Sequence, residues 1–272
     1  MPYARLADER WFYHTWGNPE RPPLLVLHGF TGSHASWSSV APALAEDFYV
    51  IAPDLPGHGR TDTPSPLEKM SMVQQAHRLV DLIESLSIPK ARVLGYSMGG
   101  RLALHLAWRY PERVSLLILE SASPGLALES ERAQRRASDE ALAAAIMSRG
   151  LAWFIDHWNQ GALFRDQAPE VREAENAVRR TGRPEGLAQS LLAAGTGSQE
   201  SLWDILGDLP MPVLLITGER DRKFTGLAKD MVARIPGAQW VSIEAAGHTV
   251  HGENPEAFLS AVRTFLHTST GN

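Results

Sequence analysis

The chain has 272 residues and a mass of 29.9 kDa, and its 44% hydrophobic and 21% charged residues are ordinary usage for a globular protein with a full core. Its 26 basic and 31 acidic residues give a formal net charge of −5, so it lacks the positive surface that nucleic acids attract. No cysteine is present, which excludes disulfides, thiolate metal sites and a cysteine nucleophile.

Six short β-rich runs, each bounded by turn residues, predict buried parallel strands. They lie at residues 24–28, 49–53, 92–96, 115–120, 213–217 and 239–243. Between them, apolar residues recur at every third or fourth position, which predicts amphipathic helices. These helices cover residues 70–86, 98–109, 227–235 and 255–266. Strands that alternate with helices predict an α/β fold with a parallel sheet covered by helices.

The alternation stops in one long segment, residues 123–209, which is rich in Ala, Glu and Arg and has helical spacing only. Pro210 and Pro212 mark the return to a strand pattern. We therefore predict a core of residues 1–122 and 210–272 with a helical cap of residues 123–209. Such an insertion lies over the crevice at the carboxyl edge of a parallel sheet, where ligands bind.

The apolar runs outside these elements are short. The N-terminal MPYARLADERW is interrupted by charges, and no apolar run approaches the roughly 18 residues that a membrane span requires. We expect a soluble, cytoplasmic protein that does not bind membranes.

A serine lies at the junction of a predicted strand and a predicted helix. Ser97 stands in the sequence Gly-Tyr-Ser-Met-Gly-Gly directly after the strand that ends at Tyr96. A nucleophile on such a tight turn projects its hydroxyl above the sheet, and Gly95 and Gly99 leave room for the backbone. The context indicates a catalytic serine, with the helix N-terminus favouring negative charge beside it.

A serine hydroxyl needs a base, and the base needs a carboxylate that orients it. Asp221 and His248 each follow a predicted strand, and the chain order Ser97, Asp221, His248 is that of the α/β-hydrolase arrangement. His251 is an alternative base one helical turn beyond His248, and Glu120 is an alternative acid at the end of an earlier strand.

Backbone N–H groups near the serine complete the predicted site. Met98, which follows Ser97, and Phe30, in the loop after the first predicted strand, are the expected oxyanion-hole donors. In that region His28 and His58 are expected to shape loops, and His105 to pack within its helix. No metal-binding or phosphate-binding motif is present, so we expect activity without a metal or cofactor.

Six stretches of the chain resemble one family within the α/β-hydrolase superfamily. They are LVLHGFTGS, DLPGHG, GYSMGGRLALHLA, ESASPGL, TGERDRKF and AGHTVHGENP. Together they are similar to the 2-succinyl-6-hydroxy-2,4-cyclohexadiene-1-carboxylate synthases of the menaquinone pathway. The resemblance implies an α/β-hydrolase fold, with a mostly parallel eight-stranded sheet, helices on both faces and a helical cap insertion.

The resemblance also implies a lyase. Enzymes of that family eliminate pyruvate from 2-succinyl-5-enolpyruvyl-6-hydroxy-3-cyclohexene-1-carboxylate, with the serine acting as a base and without consuming water. The same triad would serve a carboxylesterase or a carbon–carbon bond hydrolase, in which Ser97 attacks a carbonyl or activates water. That hydrolase reading is the alternative, because one fold hosts many reactions.

Arginine is the residue type that would recognise the polyanionic small-molecule substrate, because its planar fork binds carboxylates in bidentate fashion. Arg101 lies one helical turn after Ser97 and is expected to face the site. The resemblance adds Arg135, Arg179 and Trp158 in the cap and Tyr96 beside the serine. The neighbouring Arg136 and Arg180 could exchange roles with Arg135 and Arg179. Oligomeric state is not readable from the sequence.

Overall fold

A computed structural model of the chain describes residues 3–268. Its strands are β1 (Tyr3–Leu6), β2 (Glu9–Trp16), β3 (Pro23–Leu27), β4 (Tyr49–Pro53), β5 (Ala91–Tyr96), β6 (Val114–Glu120), β7 (Val213–Gly218) and β8 (Gln239–Ile243). They form one sheet in the order β1-β2-β4-β3-β5-β6-β7-β8. β1 pairs with β2 and β2 with β4 in antiparallel fashion, whereas the other neighbours are parallel. The expected mostly parallel eight-stranded sheet is confirmed.

The first two strands have no counterpart among the six predicted runs. β1 has four residues, and β2 begins with a buried glutamate and ends with four side chains that are buried only in part. Both lie at the antiparallel edge of the sheet, where strands are not covered on both faces and so show no continuous apolar run.

The helices cover both faces of the sheet. They are α1 (Ala41–Leu44), α2 (Met72–Ser85), α3 (Met98–Arg109), α4 (Glu129–Asn159), α5 (Pro169–Arg179), α6 (Pro184–Ala194), α7 (Arg222–Val232), α8 (Val250–Glu253) and α9 (Pro255–Thr268). Along β3, Leu24 and Val26 enter one buried cluster and Leu25 and Leu27 the other. The first cluster includes α1 and α9, and the second includes α2, α3 and α7. No helix of the described chain is long and apolar enough to cross a bilayer.

Two helices begin at residues other than the predicted ones, because a capping side chain determines where each of them begins. The helix predicted at 70–86 begins at Met72, after Ser71 accepts a hydrogen bond from the Gln74 N–H at 3.4 Å. The helix predicted at 227–235 spans Arg222–Val232, because the Asp221 carboxylate caps it by accepting from the Phe224 N–H at 3.2 Å.

Helices α4, α5 and α6 lie between β6 and β7, in the segment predicted to form the cap. The long α4 is interrupted at Gly150, where φ is 82° and ψ is 176°. α4 and α6 share an apolar cluster that includes Ile146, Phe154 and Leu191. The limits of core and cap at residues 122 and 209 stay a prediction.

The cap helix α6 is held against the core at its N-terminal end. Arg183 donates from Nη1 to the Gly59 carbonyl at 2.5 Å and from Nη2 to the Thr61 carbonyl at 2.6 Å. Beside these bonds, Gly57 and Gly186 approach so closely that a Cβ added to either would collide with the carbonyl oxygen of the other. Gly57 also has a φ of 81°, which favours glycine.

Candidate active site

Ser97 lies on a strained turn between β5 and α3. Its φ of 51° and ψ of −106° place it on the positive-φ side, which a residue with a Cβ rarely adopts. Glycines make the turn possible, because a Cβ at Gly95 would collide with the Gly99 carbonyl and one at Gly99 with the Leu27 carbonyl. The turn therefore presents the serine hydroxyl at the carboxyl edge of the sheet.

The structure brings Ser97, Asp221 and His248 into one hydrogen-bonded series. His248 Nε2 lies 3.0 Å from Ser97 Oγ, and His248 Nδ1 lies 2.7 Å from Asp221 Oδ2. The imidazole and the carboxylate are both buried. A base within hydrogen-bond reach of a hydroxyl, and oriented by a carboxylate behind it, is the geometry that activates serine.

The alternative base and acid form a separate pair. His251 Nδ1 lies 2.8 Å from Glu120 Oε2, and the His251 backbone N–H donates to Glu120 Oε1 at 3.0 Å. Both side chains are fully buried. Burial opposes protonation of His251, but the Glu120 carboxylate raises its pKa above the ordinary value. The Glu120 carboxylate is thus engaged by His251, whereas Asp221 engages His248.

The loop after β3 carries the expected second oxyanion donor. No acceptor within residues 3–268 takes the Phe30 N–H, and Met98 occupies the first position of α3, where a helix leaves its N–H groups unpaired. His28 shapes this loop: its Nε2 accepts from the Leu55 N–H at 3.0 Å and its Nδ1 lies 2.8 Å from the Gly29 carbonyl. Burial lowers the pKa of His28, consistent with a neutral ring.

His58 follows the same pattern in the loop after β4. Its Nδ1 lies 3.1 Å from the Pro56 carbonyl, and burial lowers its pKa to about 3. The ring therefore stays neutral in the folded protein at physiological pH.

A cavity of about 210 Å³ lies above Ser97, with walls from both the core and the cap. The core contributes Ser97, His248, Phe30 and Met98 to its lining. Its charged lining consists of Arg101, Arg135 and Lys223, and the lining contains no aspartate or glutamate. A space with three cations and no anion favours a ligand that carries several negative charges.

Arg101 is a buried cation without an anionic partner. Its Nη1 donates to the Ala194 carbonyl at 2.9 Å and to the Gln199 side-chain oxygen, while no carboxylate of the described chain lies within ion-pair distance. Burial lowers the pKa of this guanidinium. A bound anion would relieve the cost of that isolation.

Arg135 also lines the cavity, and its Nε forms an ion pair with a carboxylate. Its Nε donates to Asp139 Oδ1 at 2.8 Å, and its side chain is 39% exposed. The neighbouring Arg136 bonds instead to the Gly197 carbonyl and to Glu129 and does not line the cavity. Of these two neighbours, only Arg135 can reach a ligand in the cavity.

Arg179, predicted to bind substrate, is not among the residues that line the cavity. It is almost fully buried and pairs with Glu175 at 3.2 Å, and its Nε donates to Thr31 Oγ1 at 3.3 Å. Phe164, whose ring centroid lies 5.3 Å from the guanidinium carbon, is itself a lining residue. Arg180 is 55% exposed, pairs with Glu173 and is also absent from the cavity lining. The substrate-binding role expected of Arg179 stays a prediction.

Tyr96 and Trp158 are both in the cavity lining. The Tyr96 hydroxyl lies 2.9 Å from Thr249 Oγ1, and its ring centroid is 5.5 Å from that of His248. Trp158 packs edge-on against Phe30, and its buried Nε1 has no partner in the described part of the chain.

Lys223 and Phe224 are among the lining residues that were not singled out from the sequence. Lys223 and Phe224 follow Asp221 in the first turn of α7, and the Phe224 ring lies 4.6 Å from that of His248. Both lie in the TGERDRKF stretch, which also contains Asp221 and carries part of the family resemblance. A second, wider groove of about 680 Å³ borders the site at residues 162–167 and shares Leu163, Lys223 and His248 with the cavity.

Among residues 3–268 no three His, Asp or Glu side chains are grouped as metal ligands would be.

Comparisons with known proteins found relatives that match most of the chain. The family model described as alpha/beta hydrolase fold matches residues 22–255. A Bacillus subtilis (strain 168) protein, provisionally named 2-succinyl-6-hydroxy-2,4-cyclohexadiene-1-carboxylate synthase, is 41% identical over 246 residues, which cover 89% of each chain. The synthase of that name from Salmonella agona (strain SL483) is 33% identical and covers 93% of this chain and 97% of its own. The structure of MenH from S. aureus superposes with a TM-score of 0.90 at 31% identity and covers 96% of this chain and 99% of its own.

Proposed function

The chain belongs to the α/β-hydrolase family and, within it, to the 2-succinyl-6-hydroxy-2,4-cyclohexadiene-1-carboxylate synthases, and from that premise we propose how its residues act. The protein is a lyase of menaquinone biosynthesis that eliminates pyruvate from 2-succinyl-5-enolpyruvyl-6-hydroxy-3-cyclohexene-1-carboxylate. We propose Ser97, Asp221 and His248 as its catalytic residues, the backbone N–H groups of Phe30 and Met98 as its oxyanion hole, and the cytoplasm, compatible with a cysteine-free chain, as its compartment.

The isolated positive charge of Arg101 is the observation that carries the proposal. The substrate has three carboxylates, one each on the succinyl arm, the ring and the enolpyruvyl group. Arg101, Arg135 and Lys223 line the cavity without any acidic side chain among the lining residues. A neutral ester would leave Arg101 buried without an anion, whereas a tricarboxylate would supply one. The charge of the cavity therefore favours the lyase substrate over an ester.

The proposed chemistry is a proton transfer followed by loss of a leaving group. His248 Nε2 takes the Ser97 proton, and Ser97 Oγ removes a proton from the ring carbon next to the succinyl carbonyl. Asp221 stabilises the imidazolium that forms. The Phe30 and Met98 N–H groups bind the negative charge that develops on the conjugated carbonyl oxygen.

The electron pair of the broken C–H bond then returns to the ring. It forms a double bond to the neighbouring ring carbon, the existing ring double bond shifts by one position, and the C–O bond to the enolpyruvyl group breaks. The leaving group departs as the enolate of pyruvate and takes up a proton, so that one substrate yields two products and no water is consumed. None of these steps requires a metal or a cofactor.

The experiment compares pyruvate release from the enzymatically generated substrate with spontaneous elimination. We expect the wild-type chain to accelerate release strongly and Ser97→Ala to lose about 10²- to 10⁴-fold of that rate, the usual contribution of a positioned base. Hydrolysis of p-nitrophenyl butyrate is measured in parallel. Efficient ester cleavage with pyruvate release no faster than the spontaneous reaction would instead support the carboxylesterase alternative.

A further inference from the structure

Gln199 lies where the chain returns from the cap to the core, between α6 and β7. It is buried, and its side-chain oxygen accepts a hydrogen bond from Arg101 Nη1. No motif of the sequence includes this glutamine, and the proposed mechanism assigns it no step. It is, however, the one side chain among the described residues to which Arg101 donates a hydrogen bond.

The hydrogen bonds of Arg101 show which edge of its guanidinium has no partner among the described residues. Nη1 carries two hydrogens, and both are used, one on Gln199 and one on the Ala194 carbonyl at 2.9 Å. No acceptor within residues 3–268 takes the N–H groups of Nε and Nη2, although Arg101 lines the cavity. Nε and Nη2 together form a fork that binds a carboxylate through two parallel hydrogen bonds.

Gln199 is itself held in place by the segment that leads into the cap. A Cβ added to Gly125 would lie 2.7 Å from Gln199 Nε2, so the glycine permits the amide to pack against that backbone. Just beyond, the Leu202 N–H donates to the Pro124 carbonyl at 2.8 Å, and Trp203 Nε1 donates to the Gly125 carbonyl at 3.0 Å. The acceptor offered to Arg101 is thus part of a rigid junction between core and cap.

The chemical type of this acceptor matters. A glutamate here would pair with the guanidinium and neutralise it, whereas the neutral amide orients it and leaves its charge for a ligand. We propose that Gln199 is a positioning residue that fixes Arg101 with its Nε and Nη2 edge toward the cavity, where it binds one carboxylate of the substrate. This inference rests on the proposed lyase function.

Two substitutions separate positioning from simple packing. Gln199→Leu removes the acceptor and keeps much of the volume, and we expect KM for pyruvate release to rise about tenfold with kcat within about threefold. Gln199→Glu keeps shape and acceptor but pairs with Arg101, so KM should rise at least as much. If the residue served packing alone, Gln199→Glu would stay close to wild type.

The control is Gln75→Leu. Gln75 is a buried glutamine of α2 whose amide donates to the Met70 carbonyl at 2.6 Å, away from the cavity lining. Its loss should leave both KM and kcat unchanged. Thermal unfolding of each variant, followed by circular dichroism, establishes that the compared chains are folded.

A double-mutant cycle with Arg101→Met tests whether Gln199 acts through the arginine. In the Arg101→Met background, Gln199→Leu should change KM by less than about twofold, because the group that it positions is gone. Independent, multiplying losses would overturn the inference, and so would a wild-type KM in a folded Gln199→Leu variant. If the wild-type chain does not accelerate pyruvate release, the proposed function and this inference both fail. An active wild type with an unaffected Gln199→Leu variant overturns the inference alone.

Discussion

At the scale of single residues, two buried arginines differ in whether the protein supplies their counter-charge. Arg179 has Glu175 at 3.2 Å and additional hydrogen-bond acceptors around it. Arg101 has a carbonyl and an amide oxygen but no carboxylate. The first arrangement is complete in the free protein, whereas the second is completed by an anion. Their substitutions should therefore affect different measurable quantities.

We expect Arg179→Met to lower the free energy of unfolding by about 3 kcal/mol, because it leaves Glu175 without its partner. Arg101→Met should leave that free energy unchanged or raise it, since it removes a buried unpaired charge, while raising KM for pyruvate release by about 10- to 100-fold. Urea unfolding and steady-state kinetics on the same preparations measure both. A large loss of stability in Arg101→Met with an unchanged KM would contradict this assignment.

His105, on α3 one turn beyond Arg101, makes the stability depend on pH. Neither of its ring nitrogens has a hydrogen-bond partner in the described chain, and Glu200 Oε1 lies 3.8 Å from Nδ1. Burial, with the nearby charges of Arg101 and Arg109, lowers its pKa to about 3. The unfolded chain binds this proton near pH 6.5, so the stability is fully present above pH 6.5 and is lost as the pH falls toward 3.

His105→Leu should remove that dependence. Relative to wild type, the variant should gain about 2 kcal/mol of unfolding free energy at pH 5 compared with pH 8. Urea unfolding at the two pH values measures the difference. His77→Leu, at an exposed position of α2, is the matched control. Equal pH effects of the two substitutions would show that His105 is not the group responsible.

The sequence predicts best those site residues whose positions follow from the topology of the sheet. Ser97, Asp221 and His248 each follow a strand of a parallel sheet, and the carboxyl ends of such strands share one edge. The direction of a cap side chain depends on how its helix rotates and packs, so Arg179 was expected at the cavity and lies outside its lining. No sequence pattern distinguishes Lys223 from an exposed lysine, so its place in the cavity lining was not predicted.

At the scale of elements, the strands buried on both faces were the easiest to predict. β3 and β7 are almost continuous apolar runs, whereas the edge strand β2 is not. Helix limits depended on single capping side chains such as Asp221. The contact between α6 and the core depends on two glycines 129 positions apart, Gly57 and Gly186, and no local pattern indicates such a pair.

We expect Gly186→Ala to lower the free energy of unfolding by about 1–3 kcal/mol, because the added methyl group meets the Gly57 carbonyl and pushes α6 from the core. Gly226→Ala is the control, since a Cβ there has no neighbour within 4 Å in the described chain. That substitution should instead raise the free energy by about 0.4–1 kcal/mol, as alanine favours a helix. Urea denaturation of the two variants gives the sign of each effect, and a neutral Gly186→Ala would show that the close contact is dispensable.

At the scale of the whole molecule, the charge of the cavity and the charge of the chain have opposite signs. The chain carries a formal net charge of −5, but the charged lining of the cavity is cationic. Long-range repulsion by the net charge and local attraction by the lining therefore act against each other on a trianionic substrate.

Ionic strength distinguishes these two contributions. We expect KM for pyruvate release to rise by about threefold or more between 0.05 and 0.5 M NaCl, because salt screens the local attraction. Arg135→Gln should reduce this dependence, while Arg180→Gln, on the exposed face of the cap, should not. A KM that falls with added salt would mean that repulsion by the net charge dominates.

The contact between α6 and the loop after β4 also bears on where a ligand enters the cavity. Gly186 lies against Gly57, and Arg183 bonds to the Gly59 and Thr61 carbonyls, so the wall formed by α6 is tied directly to the core. The wider groove at residues 162–167 shares Leu163, Lys223 and His248 with the cavity. We therefore expect the bulky substrate and the small product to pass on the side of His248 and Lys223, and not through the wall formed by α6.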